Sequence, residues 1–254
     1  MKTSSDKEMT LALARASVYK LLSQALLYPD AEFYELVASG QLAAELEACW
    51  EHIQPKGKLP AGVHILRQHQ PPDSLETLQE EYVGLFSHTV KSTNSPYEAM
   101  LGRGQAHVFQ QTQCLADIAG FYRAFGLEIA LDANERPDHI GIELEFMHFL
   151  ACQEAHALKE DGLEEVTLVR QAQRDFLTEH LACWAPYFLK HIEEESVGLN
   201  LGVVQVTQDF LQDECSRLKV EPAQMGFDDP VAIPGDDVPL CMSGSPHNPE
   251  EDFS

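Results

Sequence analysis

The sequence predicts an all-α protein: a single helical domain of the bundle type over residues 1–220, followed by a disordered acidic tail over residues 221–254. Apolar residues recur at helical spacing through most of the chain before the tail. There is no run of alternating strands, no Gly-rich phosphate loop after a strand and no internal repeat. Beyond residue 220 the chain has eight acidic residues, six prolines and no Lys or Arg, so it buries too little apolar surface to offset the entropy of ordering.

The first half of the chain predicts four helices. Each has apolar residues at steps of three and four, and the first three are closely followed by Pro or Gly. The segment "QPKGKLPAG" at 54–62 breaks the pattern, and the polar segment 87–104 predicts a long loop, which in a compact domain is often functional. The predicted helices cover residues 8–27, 31–38, 41–53 and 74–86.

Four more helices are predicted in the second half. Gly126 is typical of the residue just after a helix end, whereas Pro137 and Asp138 suit a first helical turn. Pro186 predicts a kink or a restart, and "GVVQV" in the last helix also fits a short strand. These helices cover residues 107–126, 138–160, 163–190 and 197–219.

The charge balance limits the kinds of partner. With 41 acidic against 17 basic residues the formal net charge is −24, which argues against a nucleic-acid binder, because phosphate contacts need clustered Lys and Arg. An anionic membrane surface is disfavoured for the same reason. A basic partner, such as a peptide that carries arginines, is electrostatically favoured.

The cysteines and the hydropathy pattern indicate a compartment. The six cysteines are Cys49, Cys114, Cys152, Cys183, Cys215 and Cys241; they form no Cys-x-x-Cys pair, which disfavours zinc and iron–sulfur sites and favours reduced thiols. The N-terminus has no apolar signal region, and no run of about 18 apolar residues predicts a membrane span. We therefore expect a cytoplasmic protein that does not insert into membranes.

The stretch "RPDHIGIELEFMHFLACQEAH" at 136–156 contains the candidate chemistry. Glu145 and His148 form a Glu-x-x-His step, but a di-iron bundle needs a second such step and the chain has none. His139 and Glu143 lie one turn apart, a spacing that suits metal binding, a general base or a simple hydrogen bond within the helix. Apolar residues cover most of this helix, which predicts that it is mainly a central core element. With no nucleophile motif and no second Glu-x-x-His step, we expect no catalytic group, metal or cofactor.

Three segments together resemble one known family. They are "LQEEYVGLFSHTVKSTNSPYEAML", "FYRAFGLEIALDANERPDHIGIELEFMHFL" and "FLTEHLACWAPYF", of which the Pro-Asp-His step is the most specific. The likeness covers about residues 10–215 and is to the TorD/DmsD/NarJ family of cytoplasmic molybdoenzyme-maturation chaperones. It implies an all-helical domain, as a monomer or a domain-swapped dimer, with no enzymatic activity. The implied partner is the apo form of a molybdopterin oxidoreductase catalytic subunit, bound through its signal peptide or N-terminal region until the molybdenum cofactor is inserted.

The resemblance also implies a client-binding surface. Such a peptide needs carboxylates for its arginines beside an apolar groove. The implied residues are Tyr82, Leu85 and Phe86 at a helix end, Pro96, Tyr97 and Glu98 in the loop, and Pro137, Asp138, His139 and Glu143 at the start of the next helix. Two alternatives remain open: a helical metal- or nucleotide-dependent enzyme that uses His139, Glu143 and His148, and a structural subunit of the mature oxidoreductase.

Overall fold

The computed structural model describes residues 4–55, 57–86, 94–101, 107–127, 135–160 and 162–222. These residues form helices and connecting loops, and within those ranges there is no strand beyond one isolated bridge. The all-α prediction is therefore confirmed. The helices are α1 (Ser4–Leu26), α2 (Ala31–Ala38), α3 (Gln41–Ile53), α4 (Ala61–Gln68), α5 (Leu75–Phe86), α6 (His107–Ala124), α7 (Ile140–Lys159), α8 (Leu163–Phe176), α9 (Ala182–Glu195) and α10 (Gly198–Leu218).

The core forms around α1 and α7, which pack along each other. α7 also contacts α8, and α10 contacts α4 and α9. The apolar faces of these helices are fully enclosed, with Leu22, Leu144, Phe176, Trp184 and Phe210 at 0% exposure. The prediction that the 136–156 stretch is mainly a core helix is confirmed. No helix in the described ranges combines the length and apolarity that crossing a membrane requires.

A buried ionic network joins four helices through Arg15 of α1, which is 2% exposed. Its guanidinium donates to the Glu214 carboxylate of α10 at 2.6–2.9 Å and to Glu154 of α7 at 2.7 Å. Gln173 of α8 accepts a further bond, and the Tyr19 hydroxyl donates to Glu214 at 3.0 Å. Burial opposes the charge on Arg15, but the neighbouring carboxylates outweigh it and raise the Arg15 pKa.

α4 was not predicted, because its sequence contains the Pro and Gly that normally end a helix. Pro60 instead precedes the first turn, where its missing N–H costs nothing. Gly62 is required by packing, because a Cβ there would lie 2.4 Å from the carbonyl oxygen of Gly202 in α10. Gly62 and Gly202 let α4 and α10 approach closely. Gly62, which made this segment look like a loop in the sequence, is therefore a packing residue of the helix.

Two helix boundaries also differ from prediction. α7 begins at Ile140 rather than at residue 138, because His139 occupies the N-cap position. The single predicted helix 163–190 is divided by a π-helical turn, Leu177–Leu181, and Pro186 lies inside α9. Pro186 offers no N–H to the carbonyl of Ala182, and the wider turn ends directly before that residue. The "GVVQV" segment is helical within α10.

The acidic tail prediction falls on residues 221–254, of which 223–254 lie outside the described residues. The domain boundary at residue 220 therefore stays a prediction. α10 ends at Leu218, and Lys219 has φ +55°, the left-handed conformation that commonly follows a helix.

Candidate functional site

The loop 94–101 and the segment 135–140 are paired by backbone hydrogen bonds. The N–H of Glu98 donates to the carbonyl of Asp138 and the N–H of Ile140 donates to the carbonyl of Pro96, both at 2.9 Å. These bonds form the isolated antiparallel bridge between Tyr97 and His139. The structure thus brings together the two three-residue segments that sequence comparison placed in one surface.

Asp138 is the centre of this pairing, and its carboxylate is fully buried. Arg136 binds it in a bidentate manner, with Nε and one terminal nitrogen 3.0 and 2.8 Å from the two oxygens. The N–H of Ala99 donates to the same carboxylate at 3.1 Å. Burial raises the pKa of Asp138 by more than Arg136 lowers it, so the guanidinium is important for keeping this buried group ionised.

The Tyr97 ring packs against the guanidinium of Arg136. The Arg136 guanidinium carbon lies 4.8 Å from the centre of the Tyr97 ring, a cation–π distance. The Tyr97 hydroxyl donates to Glu135 at 2.7 Å. Tyr97 and Asp138 thus hold one guanidinium between an aromatic face and a carboxylate, and the Arg136 side chain remains about 41% exposed.

His139 has a structural role in this arrangement, with 0% exposure. Its Nδ1 accepts from the N–H of Gly141 at 3.0 Å and so caps α7, which leaves the remaining proton on Nε2, 3.4 Å from the Tyr82 hydroxyl. Burial lowers the His139 pKa to about 4, although Glu135 acts in the opposite direction. A second proton on Nδ1 would remove the cap as well, so both effects keep the ring neutral.

The end of α5 packs partly into the core. Leu85 and Phe86 are 8% and 5% exposed, and the Phe86 ring contacts Phe188 at 6.1 Å. Tyr82 is half-buried, and its ring contacts Phe86 and the exposed Tyr28. Leu85 and Phe86 therefore do not line an open groove in this structure, whereas Tyr82 and Tyr28 form an aromatic edge beside His139.

The remaining predicted residues divide by exposure. Pro137 is half-buried, and its carbonyl accepts from the Tyr122 hydroxyl at 2.9 Å. Pro96, Glu98 and Glu143 are buried. Of the ten predicted residues, the side chains of Tyr82, Tyr97 and Pro137 are partly accessible, and the other seven lie beneath them. Direct client contact by Asp138 would require the partly exposed Arg136 to move aside, whereas contact by His139 or Glu143 would require this end of the molecule to open.

A second group of polar side chains lies under the loop. Glu98, Cys114 of α6 and His180 of the π turn each place a donor atom within 4.8 Å of the others. Glu143 is adjacent: one oxygen accepts from Trp184 Nε1 at 3.1 Å, and burial together with Glu98 raises the Glu143 pKa well above its usual value. Cys114 and His180 were missed as site residues because three distant segments supply the group and no local spacing connects them.

The comparisons with known proteins identify the family. The family model described as nitrate reductase delta subunit matches residues 40–190, more than half of the chain. This chain belongs to that family, the NarJ/TorD family. The family predicted from the three sequence segments is therefore confirmed.

Three similar relatives of the NarJ/TorD family are named as assembly chaperones. The perchlorate reductase assembly chaperone of Dechloromonas aromatica (strain RCB) is 34% identical over 69% of this chain and 76% of its own length. The selenate reductase assembly chaperone of Thauera selenatis is 33% identical over 84% and 94%. The chlorate reductase assembly chaperone of Ideonella dechloratans is 32% identical over 71% and 77%.

The three residues of the enzyme alternative do not meet in this NarJ/TorD chain. His148 Nδ1 lies 2.8 Å from the carbonyl oxygen of Ala16 in α1, and its ring borders an open cleft with Lys20 and Glu45. His139 instead contacts Tyr82 and Tyr97, whereas Glu143 contacts Trp184. Among the contacts of the described residues, the three side chains share no partner, so they do not form one site.

Proposed function

We propose that this protein is an assembly chaperone for a molybdenum-containing reductase. It binds the apo form of the catalytic subunit through the signal peptide or N-terminal region, assists insertion of the molybdenum cofactor, and is absent from the finished enzyme. The names of its relatives support this function, and the net charge of −24 suits a basic client segment. We also propose that it acts in the cytoplasm and catalyses no reaction.

The observation that supports client recognition best is the setting of Arg136. Tyr97 and Asp138 already hold one guanidinium between a ring and a bidentate carboxylate. This is the arrangement that an arginine of a client peptide requires. In our proposal the client arginine takes the place of Arg136 on Asp138. Arg136 is partly exposed and lies two residues before Asp138 in the sequence.

The apolar part of the peptide then contacts the aromatic edge. Tyr28 is 53% exposed, its ring contacts Tyr82 at 5.6 Å, and Tyr82 lies next to His139, which contacts Tyr97 at 5.2 Å. The accessible rings of Tyr28, Tyr82 and Tyr97 supply the apolar contact area in this proposal, because exposed ion pairs alone add little affinity. The buried predicted residues act from beneath it, with Leu85 and Phe86 supporting Tyr82 and with Glu98 and His139 fixing the paired loops.

The test is isothermal titration of the full-length protein with the N-terminal peptide of a candidate reductase. We expect saturable binding that weakens about tenfold or more when the peptide arginines are changed to alanine, because charged hydrogen bonds are lost. Tyr97→Ala should also weaken binding, and Arg136→Gln should strengthen it by removing the internal competitor. Tyr34→Ala and Arg174→Gln are matched controls in α2 and α8 and should leave the affinity unchanged.

Two outcomes would contradict the proposal. If neither the wild type nor Arg136→Gln binds the peptide, recognition of this segment fails for that client. If the protein co-purifies permanently with the mature, cofactor-loaded reductase, it is a structural subunit and not a chaperone. The second experiment needs only co-expression with the reductase and analysis of the complex before and after cofactor insertion.

A further inference from the structure

The buried group under the loop contains the donor types of a transition-metal site. One carboxylate, one thiol and one imidazole come from Glu98, Cys114 and His180, and their donor atoms lie within 4.8 Å of one another. Ligands of a tetrahedral zinc ion with bonds of about 2.1 Å are roughly 3.4 Å apart. Movements of well under 2 Å would therefore close the group around an ion.

Unsatisfied polar atoms mark the same place. Oε1 of Glu143 and Nε2 of His180 are buried and have no hydrogen-bond partner among the described residues. Glu143 is fully buried and interacts electrostatically with both Glu98 and Cys114, so it lies beside the group formed by Glu98, Cys114 and His180 without being one of its three donors. A buried polar atom without a partner costs free energy, which a bound ion or water would recover.

The charge of the group also favours a cation. Glu98 and Glu143 are two neighbouring buried carboxylates, and in the described part of the chain the basic group paired with Glu98 is His180 alone. The nearby Arg136 is occupied by Asp138. A divalent ion that displaces the thiol proton would balance the thiolate and one carboxylate.

We propose that Glu98, Cys114 and His180 form a Zn²⁺ site with three protein ligands, beside which Glu143 adds a second buried carboxylate. Sulfur and imidazole donors select zinc over Mg²⁺ or Ca²⁺, which require oxygen ligands. The rings of Phe121 and Phe176, with centres 5.4 and 5.2 Å from that of His180, form an apolar environment around this ligand. Cys114 is half-buried and gives the ion a route from solvent.

The test uses Co²⁺ as a spectroscopic substitute for Zn²⁺ on tag-free, chelator-treated, full-length protein. We expect one Co²⁺ per chain, with d–d bands in the visible and a thiolate-to-cobalt charge-transfer band in the near ultraviolet, and displacement by Zn²⁺. Cys114→Ser should abolish the charge-transfer band, and His180→Gln should weaken binding more than about tenfold. Cys49→Ser, another half-buried cysteine on a helix, should leave the spectrum unchanged.

Three results would overturn the site. These are the absence of stoichiometric Co²⁺ or Zn²⁺ binding by the wild type, a charge-transfer band that survives in Cys114→Ser, and equal loss in Cys49→Ser. Far-ultraviolet circular dichroism of each variant distinguishes a lost ligand from a lost fold. Because the assay contains no peptide, its result is independent of the proposed chaperone function.

Discussion

Replacing Arg15 with Met is expected to destabilise this protein more than any surface change. Met keeps the apolar packing of the stem but leaves the buried carboxylates of Glu154 and Glu214 without their shared guanidinium, at 4% and 0% exposure. Breaking such a buried pair typically costs about 3–5 kcal/mol. Arg170 still bonds Glu154 at 2.6 Å and Arg217 bonds Glu214 at 3.1 Å, so we expect the lower part of that range.

Urea unfolding at neutral pH, followed by circular dichroism, measures this loss. Adding Glu214→Gln to Arg15→Met removes one of the two buried charges that have lost Arg15 and should recover part of the stability. Arg174→Met, which removes a guanidinium bonded only to Gln171 in the described contacts, should change the free energy of unfolding by less than about 0.5 kcal/mol. A loss below about 1 kcal/mol for Arg15→Met, or no recovery in the double variant, would refute the reasoning.

The pH dependence of the stability of Arg15→Met tests the direction of the Glu154 pKa shift. Burial opposes ionisation of Glu154, but Arg15, Gln173 and Arg170 together lower its pKa below the usual value. A lowered carboxylate pKa contributes stability above the unfolded pKa, and this contribution is lost as the pH falls through the folded value. The difference between wild type and Arg15→Met should therefore shrink on acidification.

Three further changes test the parts around the paired loops and the α4–α10 contact. Burial lowers the pKa of His139 to about 4, so the free energy of unfolding should fall by up to roughly 3 kcal/mol as the pH drops from about 6.5 towards 4. His139→Asn keeps a side chain that can cap α7 but does not titrate, so its melting temperature should depend less on pH. An equal pH dependence in the wild type and the variant would contradict this. Gly62→Ala would place a Cβ 2.4 Å from a carbonyl oxygen of α10 and should lower the free energy of unfolding by about 1–3 kcal/mol. Gly120→Ala, with open space around it in α6, should instead raise it by about 0.5–1 kcal/mol. If both variants shift the denaturant midpoint in the same direction, the close-packing argument is refuted. Tyr122→Phe loses the bond to the Pro137 carbonyl and should cost about 1 kcal/mol in urea unfolding, and a cost near zero would mean that water replaces the hydroxyl.

Periodicity predicted most of the helices because a helix that buries one face repeats its apolar residues every three to four positions. It failed at α4, where Gly62 serves close packing and not a turn. The π turn before Pro186 was also beyond it, because the sequence indicates that a proline disturbs a helix but not where the backbone absorbs the change.

The candidate site was predictable only in part, for a physical reason. The family resemblance grouped the loop with the Pro-Asp-His segment, and the fold pairs these two segments by backbone hydrogen bonds. The carboxylates of Glu98, Asp138 and Glu143 were nevertheless expected to face a client, because the resemblance places them in the client-binding surface and an arginine-containing peptide needs carboxylate partners. Asp138 is buried because Arg136, two residues away, neutralises it, and Arg15 is buried because α7 and α10 supply carboxylates. Such partners come from the tertiary fold, which the pattern of a single segment does not contain.

Tyr97 and Glu98 connect the two proposals through one short segment. Tyr97 faces the Arg136 position, and its neighbour Glu98 points inward to His180 at 3.1 Å. An ion that fixes Glu98 would also fix Tyr97, so Zn²⁺ should raise the affinity for an arginine-containing peptide. Thermodynamic linkage then requires the peptide to raise the Zn²⁺ affinity by the same factor, and Cys114→Ser should reduce that factor to one. Peptide titrations with and without Zn²⁺, and Zn²⁺ titrations with and without peptide, measure the two factors separately; a factor of one in the wild type would show that the metal site and the client surface are energetically independent.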